Sequence, residues 1–306
     1  MDKKVSMLQL MLVLLVVFLF ITLTDISMIF GAVLLPFAVY FLVDLKHRSN
    51  YHFWLTFISF LIPAVLLLAP DAWLWFVVLY IVAAVVHGTL KKEVSQELTI
   101  FYVTSALMLG IIGGLNLLQG FGFIQPLSNI YLDFRNWYMD QIEMYGTLAS
   151  STFDADLIRA SMDQIFINLP AYVTVISFML ALYTVLMQRV LLKSSSIKLW
   201  NYRSFKDWAF PRFILYLFLI LFIVSFLTTE GTATQSTIGN VLLVLEWALY
   251  LHGLSFSYFF FREKNLNMVL SIILLIPLAI LRPLTLLIGI FEMIFRLRAL
   301  LLMKRK

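Results

Sequence analysis

The chain has 306 residues, of which 62% are apolar, 16% aromatic and 13% charged, with a mean hydropathy of +0.96 and a net charge of +5. Soluble domains carry roughly 45–50% apolar and about 25% charged residues, so neither a soluble globular domain nor an intrinsically disordered chain fits. The lack of cysteine excludes disulfides, thiolate metal sites and thiol nucleophiles, and lipid is the solvent in which so much apolar surface is stable.

A spanning helix needs about 20 apolar residues. Met1-Asp2-Lys3-Lys4 followed by an apolar run has the look of a signal peptide, but no small-x-small site follows Leu23, and a retained first span is expected. In chain order the apolar runs predict eight spans: Met7–Leu23, Ile26–Val43, Phe53–Ala69, Ala72–Leu90, Leu98–Phe121, Pro170–Met187, Pro211–Thr228 and Gly239–Phe261. Barrel strands would alternate apolar and polar residues, whereas these runs are continuous. Between the fifth and sixth spans lies segment 122–168, the one sizeable non-spanning insertion in a single transmembrane domain covering 1–306. Leu127, Ile130, Tyr131, Phe134, Tyr138, Ile142, Tyr145 and Leu148 recur there at helical spacing, opposite Asp133, Asn136, Asp140 and Glu143, which predicts an amphipathic helix. A second helix is expected from near Thr152, with Asp154 and Asp156 in its first turn. The pair reads as a hairpin on the outer leaflet anchored by Trp137 and Tyr138, with a lid over an outward cavity as the functional alternative. After the eighth span, Met268–Phe295 is apolar but interrupted by Pro277 and Arg282-Pro283, giving either a hairpin or a kinked ninth span.

Basic residues fix an orientation. Alternate connections hold Lys3/Lys4, Lys46/Arg48, Lys91/Lys92, the loop 188–212 and Arg262/Lys264, together 14 of the 22 basic residues. The opposite connections hold Asp25, Asp71, Glu230 and segment 122–168, which has six acids against Arg135 and Arg159. The positive-inside rule therefore puts the N-terminus in the cytoplasm and 122–168 outside. A hairpin at the C-terminus would return the five terminal bases, Arg296 to Lys306, to the cytoplasm.

Ionisable and amide groups at membrane depth are costly and usually face a bundle interior or wet cavity. Asn116, Gln119 and Glu246 fall toward the outer ends of their spans, and His252 follows Glu246 by six residues, about 120° around a helix. These four are the candidate lining of a small-molecule pocket, against the plainer alternative that Glu246 holds two helices together. Glu292 is placed to pair with Arg296 four residues on. Histidines 47, 52, 87 and 252 form no His-x-x-x-His pair, and no Gly-x-Ser-x-Gly or phosphate-loop motif occurs. No catalytic residue, metal site, cofactor or nucleic-acid partner is expected. Ala106, Gly110 and Gly114, and Ala84 with Gly88, are spaced for close helix packing.

Several stretches share a further likeness. Pro170 opens a span that ends in Gln188-Arg189-Val190-Leu191-Leu192-Lys193; Ser204-Phe205-Lys206-Asp207-Trp208-Ala209-Phe210-Pro211 opens the next. Later come His252-Gly253-Leu254-Ser255 and Gly289-Ile290-Phe291-Glu292 with Arg296 and Arg298. Together they resemble the YybS-like family of uncharacterised bacterial membrane proteins, chiefly over the C-terminal half. His252 and Glu292 stand where the family pattern would have glutamine and aspartate. The resemblance implies an S-component-like membrane protein of an energy-coupling-factor transporter, binding a small molecule beside a separate energising module. Its alternative implication is a non-catalytic scaffold or regulator linked to a cyclic-di-AMP signalling enzyme or to the envelope. In either case the setting is the bacterial plasma membrane, with lipids and other membrane proteins as partners.

Overall fold

A computed structural model describes residues 5–67, 70–149, 155–194, 197–200, 203–229 and 231–303. Lys3, Lys4, Thr152, Asp154, Glu230, Lys304, Arg305 and Lys306, and the side chains of Asp71, Glu143, Tyr145 and Leu148, lie outside that description. The described residues form thirteen α-helices with short 3₁₀ turns and no strand.

Every expected span coincides with a helix: α1 (Met7–Ile26), α2 (Met28–Arg48), α3 (Asn50–Leu67), α4 (Pro70–Lys91), α5 (Gln96–Gly120), α8 (Leu169–Leu191), α9 (Phe213–Ser225) and α10 (Ala233–Glu263). The boundaries follow from local chemistry. Ser6 and Gln9 close a capping box on α1, and Ser27 accepts from Ile29 to start α2. Ser95 and Thr232 cap α5 and α10 in the same way. Six helices among the described residues are long and apolar enough to cross a membrane, and a seventh crossing results if the C-terminal pair is one broken span. Helix α9 has 13 residues, about 20 Å, and is shorter than the expected run because Arg212 and Phe226 bound it.

The C-terminal pair is α11 (Met268–Ile280) and α12 (Arg282–Phe295), which change direction by 107° across Leu281. Asn267 caps the first and Pro283 opens the second, so the break sits where a missing proline N–H costs least. After Arg296 a short α13 (Leu297–Met303) follows. Segment 122–168 contains α6 (Leu127–Ala149) and α7 (Ala155–Ile167). They pair through Tyr131 stacked on Phe166, 4.2 Å between ring centroids, and through Asp163, which accepts from the Tyr131 hydroxyl and from Arg135 at 2.8 Å. Those two donors hold the Asp163 carboxyl below its ordinary value. Phe134, Trp137 and Tyr138 on α6 remain exposed.

The helices fall into two compact units. The first comprises Met1–Phe166 with Ile176–Asn201, and the second Ile167–Val175 with Tyr202–Lys306. In the first, Val39, Leu42, Phe53, Phe76, Leu79 and Leu107 are fully or almost fully buried. The small-residue stripe on α5 faces α4: a Cβ on Gly110 would come within 2.7 Å of Val78, and one on Gly114 would strike Leu74. Gly88 has open space around it and serves no such approach. Buried Gln188 donates to the Pro36 carbonyl at 2.6 Å, tying α8 to α2. In the second unit Leu215, Phe218, Leu245, Leu249 and Met293 form a core shared by α9, α10 and α12.

Candidate functional site

Helices α10 and α12 meet backbone to backbone. A Cβ on Gly253 would strike the Thr285 carbonyl, and one on Gly289 would strike the Leu249 carbonyl. Only hydrogen side chains allow that approach, and it brings the neighbouring ionisable residues together. His252 Nε2 is hydrogen-bonded to Glu292 Oε2, and the Phe210 N–H donates to His252 Nδ1 at 3.3 Å. An accepting Nδ1 leaves the ring proton on Nε2, pointed at the carboxylate. His252 is 1% exposed and Glu292 8%.

Arg298 completes the cluster from α13. Its Nη1 donates to the carbonyls of Lys206 at 3.1 Å and Trp208 at 2.9 Å, and its Nη2 to Ser255 Oγ at 3.0 Å. Its Nε lies 3.5 Å from Glu292 Oε1 without a hydrogen bond of its own among the described residues. The Ser255 hydroxyl has the carbonyls of Phe205 and Trp208 in reach, at 2.7 and 2.8 Å. Thus the 3₁₀ turn Phe205–Asp207, α10 and α13 are held by one guanidinium and one hydroxyl. Burial pushes the Arg298 guanidinium down from its ordinary value, with Glu292 and Asp207 opposing the shift. Arg298 reaches inward because Arg296 takes a left-handed backbone, φ +53, and turns the chain between α12 and α13. A non-glycine residue there is uncommon and strained.

A cavity of about 330 Å³ opens on this cluster, with Arg212, His252, Glu292, Arg296 and Arg298 in its wall. Three arginines thus share the wall with one carboxylate and one imidazole. Neither Arg212 nor Arg296 makes an ion pair at salt-bridge distance among the described residues. The cavity can therefore take an anion: two charged forks are unspent, and Arg298 is locked in place by its carbonyl partners.

The four residues marked in the sequence lie in different places. Asn116 and Gln119 belong to the first unit, where Asn116 is exposed and donates to the Ile112 carbonyl of its own helix at 2.7 Å. Glu246 and His252 belong to the second unit but enter separate pairings. Glu246 accepts from Arg282 at 3.0 Å, and the Arg282 guanidinium lies 4.9 Å from the Trp247 ring centre. The expected Glu292–Arg296 relation is a backbone one, Arg296 N–H to Glu292 O at 2.8 Å, while the carboxylate turns to His252 and Arg298. The sequence alone gives Arg212, Arg296 and Arg298 no part in a pocket: they count as orientation charges, and Arg296 also as a partner for Glu292. The signal that marks the cluster is a glycine near an ionisable residue in both helices, His252-Gly253 and Gly289-Ile290-Phe291-Glu292.

Over residues 10–294 the chain matches the family DUF2232, described as a predicted membrane protein. It belongs to that family. Among curated proteins it is similar to the uncharacterized protein YybS of Bacillus subtilis (strain 168), 22% identical over 182 residues. That stretch covers 56% of this chain and 59% of the relative, so the match spans less than two thirds of either. No solved structure matches. DUF2232 membership makes this a membrane protein, in keeping with its long apolar helices.

Proposed function

We propose that this protein is a non-catalytic, multi-pass, S-component-like binder of a small anionic molecule in the bacterial cell membrane. The observation that carries the reading is the arginine cavity, whose wall combines Arg212, Arg296 and Arg298 with the buried His252–Glu292 pair. Its volume of about 330 Å³ lies within the roughly 300–1,000 Å³ typical of small-molecule sites. The positive-inside rule supports a cytoplasmic position for it. Arg212 before α9, Arg262 at the end of α10 and Arg296 after α12 all belong to the same side if α1–α5 and α8–α10 cross and α11–α12 enter and return. The 107° turn at Leu281 suits that re-entrant path. Segment 122–168 then lies outside, its exposed aromatics on the outer leaflet.

Thermal unfolding of the purified protein tests the reading. Inorganic pyrophosphate is expected to raise the melting temperature, and a matched panel of neutral and cationic metabolites is not. An anion at 100 times its Kd stabilises by about 2.7 kcal/mol. Arg296→Ala should abolish the response while leaving the unliganded transition within a few degrees of the parent. No response to pyrophosphate, or an equal response to cations, would reject the anion site. Co-purification of a membrane partner in that event would place the protein among scaffolds.

A further inference from the structure

A second cavity, about 780 Å³, lies in the same unit and is almost wholly apolar, walled by Phe256 and Phe260 of α10, Phe291 of α12 and Leu297, Leu300 and Leu301 of α13. It has no lining residue in common with the arginine cavity, but different residues of α10, α12 and α13 line the two. Leu297 and Leu300 face the apolar space, whereas Arg298 and Ala299 between them line the charged one. On α12, Phe291 and Glu292 divide in the same way. Arg298 bridges the two, its guanidinium 6.0 and 5.7 Å from the ring centres of Phe256 and Phe259. A seven-residue helix thus separates a cationic compartment from a greasy one, and the left-handed turn at Arg296 sets it there.

From this juxtaposition we propose that the occupant is an anionic lipid, its phosphate among Arg212, Arg296 and Arg298 and its acyl chain in the cavity on the other side of α13. This deepens the anion-binding reading above and rests on it. The chemistry of the two compartments makes the case. A free metabolic anion uses the arginines and leaves the apolar cavity without a role. A zwitterionic lipid fills the apolar cavity and leaves an excess of two positive charges uncompensated. An anionic amphiphile satisfies both, and basic pockets between membrane helices on the cytoplasmic side are where anionic headgroups bind. The exposed Leu300 and Met303 (49% and 67%) put the mouth of the apolar cavity where a chain can enter from the bilayer.

Binding to the full chain in phosphatidylcholine nanodiscs, with empty nanodiscs subtracted, separates the sources of the phosphate. The probes are palmitoyl-lysophosphatidate, palmitoyl-lysophosphatidylcholine and glycerol 3-phosphate. Lysophosphatidate is expected to bind at least tenfold more tightly than either of the others. Arg296→Ala should weaken it tenfold or more. Leu300→Trp, which fills the apolar cavity, should weaken lysophosphatidate by a similar factor and leave glycerol 3-phosphate unchanged, which also shows that the variant is folded. Equal affinity for glycerol 3-phosphate and lysophosphatidate would overturn the lipid assignment while keeping the anion site. Equal affinity for the two lysolipids would overturn it too, since charge would then not be read. Binding of none of the three would overturn both readings.

Discussion

Two acid–base pairs join α10 to α12, six residues apart along α10, in contrasting surroundings. Glu246 and Arg282 are 40% and 37% exposed, and the pair consists of one hydrogen bond plus a ring contact with Trp247. At the other site the side chains of His252, Glu292 and Arg298 are 2%, 10% and 14% exposed; His252 and Arg298 have further partners in backbone or hydroxyl, and Glu292 is held between the two. A half-exposed pair contributes little, typically under about 1 kcal/mol. A buried one survives only where hydrogen bonds replace the lost water, and here the carbonyls of Lys206 and Trp208 do so. Convergence of elements, rather than the mere presence of a charge in an apolar run, therefore distinguishes a built site from a helix clip.

The strongest way to break the contrast is to remove Glu292. Glu292→Ala leaves the buried Arg298 with Asp207 as its remaining counter-charge and His252 with no acceptor, and removing one member of a buried pair costs about 3–5 kcal/mol. The remaining carbonyl partners of Arg298 put the loss at the lower end. Glu292→Gln keeps an acceptor for the imidazole and should cost less. Denaturant unfolding of the two variants in one detergent measures the gap, and equal stability of Ala and Gln would show that the carboxylate is not a hydrogen-bond hub.

Some of this was legible in the residues and some was not. Hydrophobic runs located all eight expected helices, and the helical spacing of Ile130, Phe134 and Tyr138 located α6, because burial in lipid or at an interface imposes those patterns directly. The site is a different matter. Arg212, Arg296 and Arg298 look like ordinary orientation charges, since nothing local distinguishes an arginine at an interface from one folded inward by a left-handed residue before it. Glu292 reads as a partner for Arg296 because i, i+4 spacing is visible along a chain, whereas contact with His252, forty residues away, depends on the Gly253–Gly289 crossing. Asn116 stands out in the sequence as an amide in an apolar run, yet it is exposed and donates to its own helix.

The crossing itself gives an intermediate effect. Gly289→Ala puts a Cβ against the Leu249 carbonyl, and backbone, unlike a side-chain tip, cannot turn aside. The helices must separate, at the roughly 1–3 kcal/mol of an overpacked core. Because Glu292 is one turn further along the same helix, the separation should loosen the buried pair more than the Glu246–Arg282 pair. Combining Gly289→Ala with Glu292→Gln should then cost less than the sum of the two. Strict additivity would mean that the crossing and the pair are energetically independent.

The smallest effect is expected at Glu246, and it sharpens the contrast most. If the pair with Arg282 is a clip between helices, Glu246→Gln should retain an acceptor for the guanidinium and be close to neutral. Glu246→Ala should lower stability by about 0.6 kcal/mol, the average for a polar contact between membrane helices. Arg282 would then keep its place over the Trp247 ring and reach solvent with its exposed edge, which is why so little is lost. Neither variant should alter the response to pyrophosphate, because Glu246 lines no part of the arginine cavity. A loss of that response in both variants, with unfolding unchanged, would make Glu246 a binding residue after all. The half-exposed pair, not the buried one, would then be where this protein meets its ligand.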